Sequence, residues 1–235
     1  MILTDLNEGI LTITLKNPSK MNCMGFEMLH GLKDAITKAQ KDTEIEVVVL
    51  KGAGERAFSS GADTKEFAAL SPPEVEKWIR SGNDIFNQLE QLPKPTVAFL
   101  NGYVMGGGLE LALACDFRLA TSSVVISSPE LGNGWLPGWG GMTRLRRLIG
   151  EANAKRVVLL SERFDAESSN RLGLLTIRMT DGKEAEELQS FVDGLKSKNS
   201  KAYGMAKLAL MDVNRTTSGT AIDFDILAVS LSREN

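Results

Sequence analysis

Two glutamates in glycine-rich surroundings are the residues of this chain best suited to chemistry. Glu110 closes the run Asn101-Gly102-Tyr103-Val104-Met105-Gly106-Gly107-Gly108-Leu109-Glu110. Glu130 sits in Ser128-Pro129-Glu130-Leu131-Gly132, ahead of Pro137-Gly138-Trp139-Gly140-Gly141. Two carboxylates facing one cleft can hold a water molecule and move protons, which is general acid–base chemistry. Taken singly, each has a plainer reading. Glu110 is a favourable charge on the first turn of a helix, and Glu130 is a carboxylate on a surface loop.

The glycines add a second element of chemistry. Gly106-Gly107-Gly108 follows a predicted strand and opens a helix, where free N–H groups favour developing negative charge. Phe58-Ser59-Ser60-Gly61-Ala62-Asp63 is small at every central position, so a ligand can approach its main chain closely. One amide from each segment suits an oxyanion hole for a carbonyl becoming an enolate. The same stretch also reads as an ordinary turn between strand and helix. A dinucleotide-binding GxGxxG loop is disfavoured, because the spacing is wrong and no acidic residue is placed for a ribose.

Composition removes many other classes. The formal charge of −3 offers no basic patch for nucleic acid and no attraction to an anionic membrane. The single histidine, His30, lies in a stretch of helical spacing and reads as a partly exposed helix residue. With no second histidine, a Ser-His-Asp triad, a HExxH zinc site or a three-histidine metal site is implausible, so no metal is expected. Cys23 and Cys115 are far apart and read as free thiols of a reducing compartment. No apolar run approaches the ~20 residues that span a bilayer, and residues 1–5 lack the features of a signal peptide. A cytoplasmic location is the expectation.

The elements that must position these residues alternate between strand and helix. Residues 9–15 alternate as a strand, 25–42 carry an amphipathic helix, and 46–51 form a continuous apolar, buried strand. A helix entered at Pro73 buries Val75, Trp78, Ile79, Ile85, Phe86 and Leu89 at three- and four-residue spacing. Strands follow at 96–100, 117–120 and 124–127, with the Glu110 helix between. Beyond residue 142 the pattern turns helical, at 142–149, 152–160, 166–172, 183–197, 202–214 and 221–232, with a short strand near 175–179. The fold class is α/β, with a core over residues 1–180 and a helical region over 181–235 suited to self-association.

Several of these segments together resemble the enoyl-CoA hydratase/isomerase (crotonase) family. They are Phe58 through Asp63, Lys94-Pro95 with Asn101 through Gly108, Glu110-Leu111-Ala112-Leu113-Ala114-Cys115-Asp116, and Pro129-Glu130 with Pro137 through Gly141. The resemblance runs from residue 3 to about residue 230, including Arg171-Leu172-Gly173-Leu174-Leu175. It implies a spiral of ββα units with a C-terminal helical trimerisation region, assembled as a homotrimer or a dimer of trimers. It also implies an acyl-CoA thioester substrate, with coenzyme A as part of the substrate and no separate cofactor. The oxyanion amides map onto Ser60 and Gly107, and contacts to coenzyme A onto Ser60, Gly61, Ala62 and Asp63. Hydratase-type members use two glutamates, and Glu110 and Glu130 fill both positions. The implied reaction is hydration of a short or medium 2-enoyl-CoA.

Three features depart from the family pattern. The chain lacks the further helix and basic segment with which typical members continue, so cover for the acyl pocket is expected to be incomplete. Trp135 and Trp139 stand where members often carry small residues, and as acyl-pocket candidates they would shorten or reshape it. Both also read as core or subunit-contact residues. Ser60 replaces a more common alanine. An enoyl-CoA isomerase, a decarboxylase and a catalytically weak CoA-ester-binding subunit are the alternatives.

Overall fold

The structure, a computed structural model, describes residues 1–211. In chain order the elements begin with β1 (Ile2–Asn7), β2 (Ile10–Leu15), α1 (Phe26–Lys41), β3 (Val47–Gly52) and β4 (Ala57–Ser59). Next come α2 (Thr64–Ala68), α3 (Pro72–Glu90), β5 (Thr96–Leu100), β6 (Tyr103–Met105) and α4 (Gly107–Leu113). Then follow β7 (Phe117–Ala120), β8 (Val125–Ser127), α5 (Gly141–Leu159), β9 (Phe164–Asp165) and α6 (Ala166–Leu172). β10 (Ile177–Arg178), α7 (Glu184–Lys196) and α8 (Ser200–Met211) complete them. The helix expected at 221–232, and the last residues of the one at 202–214, lie outside the described residues.

The strands form two sheets, ordered β1-β2-β3-β5-β7-β10 and β4-β6-β8-β9. The pairs β2–β3, β3–β5 and β5–β7 are parallel, as are β4–β6 and β6–β8. Each pass of chain therefore adds one strand to the large sheet and one short strand to the small sheet. This is the expected α/β spiral of ββα units.

Burial explains why β3 is apolar throughout. Val48 and Leu50 face the main core, whereas Val47 and Val49 face a second cluster with Val97, Leu119, Met179 and Val192. Both faces of the large sheet are thus covered, the second by α7, so neither set can be polar. β1 escaped the sequence reading because it is an edge strand with a mostly exposed side pattern. The short strands β4, β6 and β9 span two or three residues, too few for a periodic signal.

Helix ends follow local chemistry. Ser71 and Glu74 form a capping box at the start of α3, satisfying orphan donors reciprocally. α5 is broken at Gly150, whose φ of 74° and ψ of 165° are not helical, which accounts for the two separate helices read at 142–149 and 152–160. α8 is held to the sheet by Lys207, whose Nζ lies 2.9 Å from Asp116 Oδ2, and by the Tyr203 hydroxyl on the same oxygen. Cys23 and Cys115 are unpaired and buried. Among the described residues no helix is long and apolar enough to cross a membrane.

Candidate active site

The glycine run places Glu110 by removing side chains where backbone must pass. Gly106 turns the chain from β6 into α4 at φ 51° and ψ −124°, a conformation that residues with a Cβ rarely adopt. Gly107 sits against the indole of Trp139, where a Cβ would lie 2.5 Å from Cζ3. All seven residues of α4 are consequently buried. Glu110, one turn in, points its Oε1 at the backbone N–H groups of Trp139 and Gly141, which donate to it at 2.8 Å each.

Glu110 is 4% exposed. Burial pushes its carboxyl up to about 7, the two amide bonds and Arg144 oppose that shift, and the Glu130 charge adds to it. A carboxyl that titrates near neutrality can both accept and donate a proton.

Glu130 follows β8 through Ser128-Pro129 and opens a 3-10 turn, Glu130–Asn133. The Ser128 hydroxyl donates to its Oε2 at 2.6 Å. Among the described residues its Oε1 is buried with no hydrogen-bond partner. Burial raises this carboxyl too, against the Ser128 bond. An unpaired buried carboxylate oxygen is costly unless something polar meets it.

The oxyanion assignment to Ser60 requires correction. Its N–H donates to the Met21 carbonyl at 2.8 Å, and its hydroxyl to the Lys20 carbonyl at 3.3 Å. The neighbouring Gly61 and Asp63 amides are also taken, by Ser59 Oγ and the Met24 carbonyl. Ala62 differs. Among the described residues its N–H donates to no protein acceptor, and neither does that of Gly107. A Cβ built on Gly107 would lie 3.4 Å from Ala62 N, so these two segments are in contact. The pair of available amides is therefore Ala62 and Gly107.

Ser60, Ala62, Gly107, Glu110, Glu130, Trp135 and Trp139 all line one cavity of about 80 Å³. Gly61 and Asp63 do not. Gly61 acts as backbone at φ 93°. Asp63 caps α2, accepting from Lys65 N and Glu66 N, and pairs with Lys20 Nζ at 2.9 Å. Trp139 packs edge-on against Phe86 and tilted against Trp78, and Trp135 packs edge-on against Phe67. His30 lies exposed on α1, away from this lining. Among the described residues no group of three or more His, Cys, Asp or Glu side chains could hold a metal ion.

Ser128 and Arg144 were not singled out from the sequence, and Ala62 was placed among the coenzyme A contacts and not at the oxyanion position. Which amide of a small-residue turn is free depends on what a distant segment offers, here the Met21 carbonyl. Ser128 is two residues before Glu130, a spacing at which serine hydroxyls often reach a neighbour. Arg144, 4% exposed, donates Nη1 to the Trp139 carbonyl at 2.8 Å and pairs with Glu90 at 2.7 Å and with Asn87. It sits among apolar positions of a helix, where no pattern marks it.

The comparisons with known proteins agree on one family. The family model for enoyl-CoA hydratase/isomerase matches residues 5–230. The chain is 30% identical over 230 residues to a crotonyl-CoA hydratase of Syntrophomonas wolfei, covering 98% of this chain and 88% of that one. It is 34% identical over 174 residues to a short-chain-enoyl-CoA hydratase of Clostridium acetobutylicum, covering 74% and 67%. The crystal structure of an enoyl-CoA hydratase from Bacillus anthracis superposes with a TM-score of 0.92 at 30% identity, covering 97% and 89%.

Proposed function

The chain belongs to the enoyl-CoA hydratase/isomerase family, and we propose that it adds water across the 2,3 double bond of a 2-enoyl-CoA thioester. The observation that carries this reading is the meeting of Glu110 and Glu130 in one small cavity beside two unpartnered amides. Isomerisation needs one base to shuttle a proton between C2 and C4, so a second, half-buried carboxylate in the cavity favours hydration.

Conjugation with the thioester makes C3 of the substrate electrophilic. The Ala62 and Gly107 N–H groups receive the carbonyl oxygen as negative charge collects on it; such a donor typically contributes roughly 10²–10³ in rate. Glu110 and Glu130 hold the water and carry one proton between them. As the water oxygen bonds to C3, the ionised carboxylate takes a water proton and the C2–C3 electron pair moves into the enolate. The protonated carboxyl then delivers its proton to C2, giving the 3-hydroxyacyl thioester. No electrons leave the substrate, so the reaction calls on no redox group, and coenzyme A enters as part of the substrate.

Burial, with the Glu130 charge adding to it, is what allows Glu110 to stay protonated near neutral pH. The relatives named as hydratases support the same activity. The test is loss of the conjugated thioester absorbance of crotonyl-CoA, with mass spectrometry of the product. Gain of one water by the product supports the reading. Binding without any gain of water across a series of enoyl esters overturns it.

A further inference from the structure

The cavity beside the two glutamates ends on an indole that has nowhere to go. Trp139 is 2% exposed, with ring centroids 5.5 Å from Trp78 and 5.4 Å from Phe86. Its six-membered edge lies on Gly107 of α4, and its Nε1 edge lies on Gly82 of α3. A Cβ at either glycine would collide with the ring. Backbone therefore flanks the indole on both sides, and backbone does not rotate aside as a side chain can.

The main chain of Trp139 is equally fixed. Its N–H is bonded to Glu110 Oε1 and its carbonyl to Arg144 Nη1, each at 2.8 Å. The wall thus stands at a set distance from a proton-transferring group. Among the described residues, Trp139 Nε1 is buried with no hydrogen-bond partner. The indole supplies shape at this position, not a polar contact. Trp135 and Phe67, edge-on at 4.6 Å, stand beside the same cavity.

The cavity is small, about 80 Å³, with room for only a few water-sized groups. Toward Trp139, each further methylene of an acyl chain meets rings that are packed against one another.

We infer that Trp139, seated between Gly82 and Gly107, is the wall that restricts this enzyme to short acyl chains. This rests on the reading of the cavity as the acyl site of a 2-enoyl-CoA hydratase. The specificity comes from exclusion, since an added methylene clashes with a wall that cannot relax.

The experiment is kcat/KM for 2-enoyl-CoA esters of four, six, eight and ten carbons. It compares the wild-type chain with Trp139→Leu and Trp139→Phe, each checked for a cooperative melt. For the wild type, kcat/KM is expected to fall at least ~10-fold between four and eight carbons. Trp139→Leu should shrink that ratio at least ~5-fold by improving the longer esters. Trp139→Phe removes the unpaired N–H with less volume, so it reads the same ratio if the leucine variant does not fold. Wild-type turnover of the eight-carbon ester within about threefold of the four-carbon one overturns the inference and leaves the hydratase reading standing. An unchanged ratio in a folded Trp139 variant also overturns it. Absence of water addition to every ester overturns the hydratase reading itself, and the inference with it.

Discussion

Glu110 Oε1 accepts the backbone N–H of Trp139 at 2.8 Å, so the buried carboxylate and the aromatic wall of the cavity are parts of one rigid unit. α4 supplies the carboxylate, and the loop entering α5 supplies the amides that orient it. The bond uses main chain on the Trp139 side, so side-chain changes at 139 can alter the cavity without releasing Glu110. It uses a side chain on the Glu110 side, which makes that residue separately testable.

Glu110→Gln retains an oxygen acceptor for the Trp139 and Gly141 amides but cannot transfer a proton. Water addition to crotonyl-CoA is expected to fall by roughly 10²–10⁴, with binding of the CoA ester kept. Calorimetric binding beside a turnover assay separates the two effects. Retained turnover in both Glu110→Ala and Glu130→Ala would end the two-carboxylate mechanism.

The raised carboxyl of Glu110 also makes stability depend on pH. The unfolded chain ionises this group near 4.5, whereas the folded protein holds its proton up to about 7. Between those values the folded state binds more protons, so stability falls as pH rises, by about 3 kcal/mol in total. Above pH 7 the loss is complete. Glu110→Gln removes this dependence, so its melting temperature should exceed that of the wild type at pH 8 and match it more closely at pH 4.5. The reverse ordering would contradict the burial argument.

The 2.6 Å Ser128 hydroxyl bond favours the ionised form of Glu130, against the burial that raises its carboxyl. Ser128→Ala removes that support, and the Glu130 carboxyl rises further. Because the two glutamates titrate as a pair, the whole pH–rate profile should move toward alkaline pH. A profile that loses height but does not move would mean that Ser128 serves packing alone.

Exchange of a single backbone N–H for an ester oxygen distinguishes Ala62 from Ser60. The change at Ala62 is expected to cost roughly 10²–10³ in turnover. At Ser60 it breaks only the bond to the Met21 carbonyl, worth about 1 kcal/mol of stability, and turnover should persist. Equal loss at both positions would remove Ala62 from the oxyanion role.

Arg144→Met strips Glu90 of its 2.7 Å partner and frees the Trp139 carbonyl, leaving Arg147 as the remaining cation on Glu90. A buried ion left wholly unpaired costs about 3–5 kcal/mol, and because Arg147 stays on Glu90 the loss should be smaller than that. Urea unfolding should register it as a lower midpoint at unchanged slope. The double variant Arg144→Met with Glu90→Met should recover part of the loss, because the half-paired Glu90 carboxylate is then gone.

Much of this protein was legible in its sequence. The alternation of residues 9–15 and the apolar run 46–51 report which faces are covered, since burial acts on every second residue of a strand. The breaks at Pro72-Pro73 and Gly150 mark helix ends, because those residues limit local dihedrals directly. The spacing of Gly106, Gly107, Gly108 and Glu110 singled out one turn of helix, as local geometry and close approach are properties of neighbouring residues. Other features had no local expression. The edge strand β1 and the strands of the small sheet depend on partners far along the chain. Ser60 and Ala62 look equivalent as letters, and only the Met21 carbonyl, folded alongside, takes one amide and leaves the other. Trp139 reads equally as core or pocket until Gly82 and Gly107 close on its two edges. Local dihedral preference and periodic burial are written residue by residue, whereas a free donor and a fixed wall exist only once distant segments have met.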